Sequence, residues 1–498
     1  MTRQYLTDFP ISPGVMITDT GPNTPVTYTY NDINQRIDAV AHGLFSSNLE
    51  SNSKIGILGK CSYNFVTTMV GIYRSRHAVV PINYKVPSTQ IEFCVRDSGT
   101  ALVFCDAEFR DLVPAGIKCI VFGSTEFEEF LNHQPYDIPE LDESIINNIM
   151  YTSGTTGMPK GVVSTYQNRM WQISQGRIAP RQRNGNCATV NPAPLYHLAG
   201  LNNIEQDLFF SFFKDTHIIL MPEFNAKKYI QHVGYYSATH VKLISPMMSM
   251  VLQETDLLEK TNLDSVNYVV LTSSAAPKKL QDDLRVYFKK VHTLNNPYGL
   301  TETGPLFGAH PLKIPKPTLS VGYPIKGVEA RIDTNGILQV KSPSILTAYH
   351  NRPELYASSI TDDGYFVTGD LFRVNKNGFY FYIGRADDMF KSGGEKIYPS
   401  EIESVIDSHP CVAISTVVGV PDNIKGHKPY AFAQLKPNTT ATEQELKEFT
   451  IAKVATYQIP RQIWILEQLP QTNIGKIDRK YLTNLAQERL NNDISTTK

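Results

Sequence analysis

Tyr151 to Val163 reads YTSGTTGMPKGVV, a run of glycines and hydroxyls with one lysine, set after the apolar segment IINNIM and before a predicted helix. Gly154, Gly157 and Gly161 let the backbone turn its N–H groups inward, and Thr152, Ser153, Thr155 and Thr156 add hydroxyl donors. Lys160 adds a positive charge. Together these groups can wrap a polyphosphate. The order is not that of a Walker loop, in which Lys is followed directly by Ser or Thr, because here Gly161 follows Lys160.

Such a loop needs a scaffold, and the flanking pattern supplies one. From Thr27 a polar turn precedes apolar residues at helical spacing, Ile33, Ile37, Val40, Ala41 and Leu44. The short β-branched runs KIGILG, HAVVPIN, ALVFCD and KCIVFG suggest buried parallel strands, with segments such as YNFVTTMVGIYRS long enough for crossover helices. The same α/β rhythm returns between residues 191 and 296 in HIILM, HVKLIS, VNYVVLT and KVHTLNN. From Leu319 to Ile383 short strands are broken by the hairpin turns DTNG and NKNG, which reads as a small barrel. After GRADDMFKSGGEKIYP, a helix (SEIESVIDSHP), two strands (AISTVVGV, PYAFAQL) and a second helix (TEQELKEFTIAKV) make a compact α+β unit.

Composition narrows the classes. Apolar residues make up 41% of the 498 and charged residues 19%, as in ordinary globular proteins. Lys plus Arg (47) nearly cancels Asp plus Glu (48), so no overall field draws the chain to nucleic acid or an anionic membrane. Any polyanion must be met by local groups. The six cysteines lack metal-site spacing and read as reduced thiols. Neither a signal peptide nor an apolar stretch long enough for a membrane span is present, and DISTTK carries no targeting tripeptide, so a cytoplasmic protein is expected.

The phosphate loop resembles that of the adenylate-forming superfamily, which includes acyl-CoA synthetases, luciferases and peptide-synthetase adenylation domains. Further motifs follow in order over nearly the whole chain. YGLTE resembles the segment that stacks adenine on a tyrosine (Tyr298), meets the α-phosphate through a threonine (Thr301) and holds magnesium through a glutamate (Glu302). SSAAP, residues 273–277, is similar to the adenine-side segment, implying Ala275 and Ala276 against the base, with Ser274 where glycine is usual. Asn296 is implied at the same nucleotide. TGD resembles the ribose clamp, giving Asp370 with Arg385 as its partner, and PLYHLAGL places His197 as a wall of the carboxylate site.

The resemblance also implies movement. QTNIGKIDRKYL is similar to the loop that delivers a catalytic lysine, here Lys476, whose point charge suits two reacting anions. Asp387 matches the family's hinge, and rotation there would bring Gly393 and Gly394 to line a coenzyme A channel. The implied fold is α/β: a large N-terminal domain, residues 1–386, of two α/β subdomains plus a small distorted β-barrel, then a mobile small α+β domain, residues 387–498. ATP, Mg2+ and coenzyme A are the implied cofactors and substrates.

Tyr398 with Pro399, and a PLYHLAGL segment lacking an aspartate, favour a CoA ligase over an amino-acid-activating domain. The acyl pocket is expected to be lined by His197, Leu201, Pro246, Met247, Ala275, Pro297 and Phe307. That mostly apolar set suits a fatty or aromatic acid. Two alternatives remain: a ligase that loads a carrier protein in trans, and a nucleotide- or acyl-binding protein whose chemistry has lapsed.

Overall fold

The computed structural model describes residues 11–134, 140–152, 158–175, 186–209, 215–272, 276, 278–309, 314–471 and 477–496. The first α/β sheet has seven strands in the order Ala348–Tyr349, Lys160–Thr165, Ile146–Thr152, Ala78–Pro81, Lys54–Leu58, Thr100–Cys105 and Lys118–Val121. The last five are parallel, and four of them are the apolar runs read from the sequence, while Lys160–Thr165 runs antiparallel to both of its neighbours. The second sheet orders Thr293–Asn295, Tyr268–Thr272, His240–Ile244, Cys187–Asn191, Thr216–Leu220 and Val15–Asp19 in parallel, with Val26–Tyr28 antiparallel at the edge.

Two helices join these sheets. Tyr30–Ser46 starts at a capping box between Thr29 and Asp32 and buries the predicted stripe Ile33, Ile37, Val40, Ala41 and Leu44. Tyr63–Arg74 touches strands of both sheets and is buried nearly all round, which is why its sequence carries almost no charge.

The β-rich segment is an antiparallel sheet in the order Tyr298–Leu300, Gly304–Ala309, Ser320–Pro324, Tyr380–Arg385, Phe366–Val374, Ile337–Lys341 and Glu329–Ile332. Register shifts interrupt most of its ladders and add twist. Both predicted hairpin turns close by the same chemistry. Asp333 accepts from the N–H groups of Asn335 and Ile337, and Asn375 from those of Asn377 and Phe379. The C-terminal unit pairs Glu395–Ile397, Phe390–Ser392, Gly426–Leu435 and Val412–Asp422, with Ile463–Leu466 parallel to Gly426–Leu435. Helices Pro399–Asp407, Glu443–Ile451 and Arg479–Thr496 complete it. No helix among the described residues is long and apolar enough to cross a membrane.

A buried polar network ties the helical interior to the YGLTE turn. On helix Tyr166–Ser174, Arg169 pairs with Glu205 of helix Leu198–Phe209, both fully buried, and Tyr73 donates its hydroxyl to Glu205 at 2.8 Å. Arg169 also donates to Gln172, Gln172 donates to the Ser344 carbonyl at 3.1 Å, and Ser344 donates to the Thr303 carbonyl. Thr303 Oγ1 in turn accepts from the Leu300 N–H at 3.1 Å. Removing one partner of a buried ion pair leaves the other charge uncompensated. Arg169→Met is expected to cost roughly 3–5 kcal/mol in urea unfolding, and Arg169→Met with Glu205→Leu to recover most of that loss.

Candidate active site

The carboxyl ends of the parallel strands, the antiparallel sheet and the C-terminal unit enclose one cleft of about 2350 Å³. A strand pair flanks the glycine-rich run: Thr152 ends one strand, Lys160 begins the next, and the two are cross-strand partners. Thr152 lines the cleft. Gly161 lies in the second strand, where a Cβ would stand 3.0 Å from Ile149 and 3.1 Å from His350, so tight packing rather than a turn requires glycine there. Ser153, Gly154, Thr155, Thr156, Gly157, Ala275 and Lys476 lie outside the described residues.

The antiparallel sheet contributes a cluster of charge and hydroxyls. Asp370 and Arg385 are opposite each other on adjacent strands. Asp370 is 2% exposed and accepts from Arg385 Nη1 at 3.1 Å, while the same nitrogen donates to the Thr368 carbonyl at 3.2 Å. Tyr298 donates its hydroxyl to the second oxygen of Asp370. Burial first, and then the Asp370 charge, hold the Tyr298 phenol well above the ordinary tyrosine range, so it remains a donor. Its ring is wedged between Phe307, Phe372 and Tyr382.

Thr301 and Glu302 face the cleft on the turn after Leu300. Glu302 accepts from the Tyr349 hydroxyl at 3.2 Å, and its carbonyl from the Leu346 N–H at 2.7 Å. Asn296 lies in the wall and donates to the Leu271 carbonyl at 2.6 Å. Ala276 is buried at the same wall. His197 precedes helix Leu198–Phe209, and its carbonyl accepts from the Leu201 N–H at 2.9 Å.

Pro246, Met247, Pro297 and Phe307 line the cleft with His197. Leu201 does not. It is fully buried with Ile204 and Leu208 in the core, because helical spacing turns that apolar stripe away from the cleft. The opposite face brings Asn203, Gln206 and Asp207 to the lining, together with Lys242 and His240 from strand His240–Ile244. These residues escaped the sequence reading. The available signal was a lysine in the middle of the apolar run HVKLIS.

The chain passes from the antiparallel sheet to the C-terminal one between Arg385 and Phe390. Asp387 lies in that connection, largely exposed and 3.9 Å from Arg385. Arg479 forms a bidentate pair with Glu403 at 2.6 and 3.0 Å, donates to the Val417 carbonyl at 2.8 Å and stands 3.7 Å from Asp388. The face turned to the cleft carries Tyr398, Pro399 and Ile477 to Lys480, the residues that directly follow Lys476. Gly393 and Gly394 are outside the lining. They form an exposed hairpin tip with φ of +60° and +93°, a turn that favours two glycines on conformational grounds alone.

This is the two-domain architecture of the adenylate-forming enzymes. The chain belongs to the AMP-binding enzyme family, whose model matches residues 14–350, and the model of the AMP-binding enzyme C-terminal domain matches residues 401–476. It is 29% identical over 469 residues to a 2-succinylbenzoate–CoA ligase of Geobacillus sp. (strain WCH70), covering 92% of each chain. It is 27% identical over 495 residues to a fatty acid–[acyl-carrier-protein] ligase of Streptomyces coeruleorubidus, covering 93% of each. Its fold matches ATP-bound MatB from Rhodopseudomonas palustris with a TM-score of 0.85 at 22% identity, over 95% of this chain and 96% of that one.

One cleft residue sets a pH dependence. Asp407 ends helix Pro399–Asp407 and accepts from Ser415 at 2.7 Å. Burial, opposed by that hydrogen bond, pushes its carboxyl from 3.8 up to about 8. The folded chain therefore keeps a proton that the unfolded chain has released across this window, so stability falls as pH rises from about 4 to about 8. Asp407→Asn is expected to flatten that slope, read as urea midpoints at about pH 5 and about pH 8.

Proposed function

We propose that the chain uses ATP to activate a carboxylic acid as its acyl-AMP and then transfers the acyl group to the thiol of coenzyme A. One observation carries the reading: Tyr298, Glu302, Asp370 and Arg385 share a cleft with the residues that follow Lys476. In the first step a carboxylate oxygen attacks the α-phosphorus, forming a P–O bond as the bond to pyrophosphate breaks. In the second, a thiolate sulfur attacks the acyl carbon and AMP leaves.

Each group has a task that its surroundings suit. Asp370, oriented by Tyr298 and Arg385, accepts from the ribose hydroxyls, and the wall of Ala276, Asn296 and Tyr298 holds adenine. Lys160 and the hydroxyls from Thr152 to Thr156 take the departing phosphates. Thr301 donates to the α-phosphate, and Lys476 offsets charge as the two anions meet. His197 walls the carboxylate in without carrying a proton.

Glu302 brings one carboxylate to the cleft on its turn, hydrogen-bonded by Tyr349, and one carboxylate fits a Mg2+ ion held mainly by phosphate and water. Such an ion, when bound, neutralises developing phosphate charge.

The CoA acceptor is supported by the 2-succinylbenzoate–CoA ligases among the relatives. Loading of a carrier protein is a second reading, supported by the fatty acid–[acyl-carrier-protein] ligase. Rotation about Asp387 would exchange the Lys476 face for the Gly393–Gly394 hairpin between the two steps.

Lys476→Ala is expected to reduce acid-dependent pyrophosphate release by roughly 100-fold or more and to largely spare thioester formation from supplied acyl-AMP. Equal loss of both steps would remove the lysine from this role. Asp370→Ala should raise the KM for ATP at least about tenfold with little change in the KM for the acid, measured by the same assay. Substituting free CoA with a phosphopantetheinylated carrier protein separates the two acceptors.

A further inference from the structure

The acyl pocket is apolar only in its upper part. Two neighbouring parallel strands sort its floor by depth: Ile244 beside Thr272 at the carboxyl end, Lys242 beside Val270 two residues lower, and His240 beside Tyr268 at the bottom. Alternation sends Val241, Leu243, Val269 and Leu271 into the core behind the sheet, leaving the first six on the cleft. At about 3.3 Å per residue, Lys242 lies roughly 7 Å below Ile244. The facing wall is helix Leu198–Phe209, which turns Asn203, Gln206 and Asp207 to the cleft and brings Asp207 to the depth of Lys242.

Lys242 donates to Asp207 at 2.6 Å, and each side chain is only 11% exposed. Well-packed apolar residues serve stability as well as such a pair or better, so its place at the floor of a substrate cavity calls for a ligand. An ammonium has three N–H donors and Asp207 takes one. The others, with the amides of Asn203 and Gln206, match an acceptor oxygen. Resting on the adenylation reading above, we propose that the acid carries a second oxygen function at its distal end, a carbonyl, hydroxyl or second carboxyl, which Lys242 holds.

The alternative occupant is a plain hydrocarbon tail. Reaching this depth it would strip water from Lys242 and Asp207 and return no hydrogen bond. His240 supplies no second cation there, since burial and then the adjacent Lys242 push its imidazole down to about 3. A neutral oxygen sits beside Asp207 without repulsion, whereas a second carboxylate meets it as a like charge.

The test is acid-dependent pyrophosphate release from the full-length enzyme with length-matched acids in three arms: unsubstituted aryl and alkyl acids, their distal hydroxy or oxo counterparts, and the corresponding dicarboxylic acids. At least one oxygenated arm should exceed the hydrocarbon arm in kcat/KM by about tenfold or more, and the order of the two oxygenated arms tells a neutral oxygen from a carboxylate. Lys242→Met with Asp207→Leu removes both buried charges together, so neither is left unpaired, and should bring the ratio to near one through loss of kcat/KM on the oxygenated acids, with folding checked by the urea midpoint. Preference for hydrocarbon acids by the unaltered enzyme, or an unchanged ratio in the double variant, overturns the proposal and leaves adenylation standing. Release with none of the acids overturns the adenylation reading as well.

Discussion

The structure turns on two charge triads, each an arginine between two carboxylates, that flank the connection from one sheet to the next. Asp370, Arg385 and Asp387 follow each other on the N-terminal side, and Asp388, Arg479 and Glu403 on the other, each within reach of the next in its own group. Each member has a charged partner or solvent, so polar contacts flank the joint on both sides. An interface of that kind can exchange partners without exposing a hydrophobic core. The same arginine that orients Asp370 in the cleft stands beside the connection, so the orientation of the C-terminal unit and the geometry of Asp370 are mechanically adjacent.

On the N-terminal side the site is held from behind. The turn that presents Thr301 and Glu302 is short and half-buried at the cleft. Its backbone is fixed by Thr303, and Thr303 by Ser344, Gln172 and finally the buried Arg169–Glu205 pair. A buried ion pair is a poor source of stability, but it fixes two helices in one relative position. One of those helices directly follows His197, so one network positions both His197 and the Thr301–Glu302 turn at the cleft.

Most of this frame was legible in the sequence. The parallel strands stand within a residue or two of the apolar runs, since strands buried on both faces cannot hide their composition, and DTNG and NKNG turned where aspartate and asparagine could cap their own backbone. The cleft also gathers Tyr298, Thr301, Glu302, Asp370 and Arg385, which the family resemblance had grouped. What could not be read was anything set by the relation between distant elements. Leu201 sits one position from cleft residues in sequence and faces the opposite way, and the Arg169–Glu205 pair joins two helices whose contact no periodicity announces.

Lys242 shows the same limit from the other side. Within HVKLIS it looks like a charged interruption of a core strand, and only the alternation of the sheet shows that positions 240, 242 and 244 form a separate, cleft-facing column. That column divides the labour of the pocket. On the proposed reading, the reacting end of the acid would lie at the carboxyl edge of the strands, beside His197 and the Thr301–Glu302 turn, and its far end would meet side chains two to four residues deeper on the same strands. Because a strand is stiff and its hydrogen bonds are made by backbone, the deep side chains can change without shifting the edge where chemistry occurs. A parallel sheet therefore lets recognition of the acid vary independently of its activation, and in this chain that freedom has placed a charged pair where an apolar floor would have folded equally well.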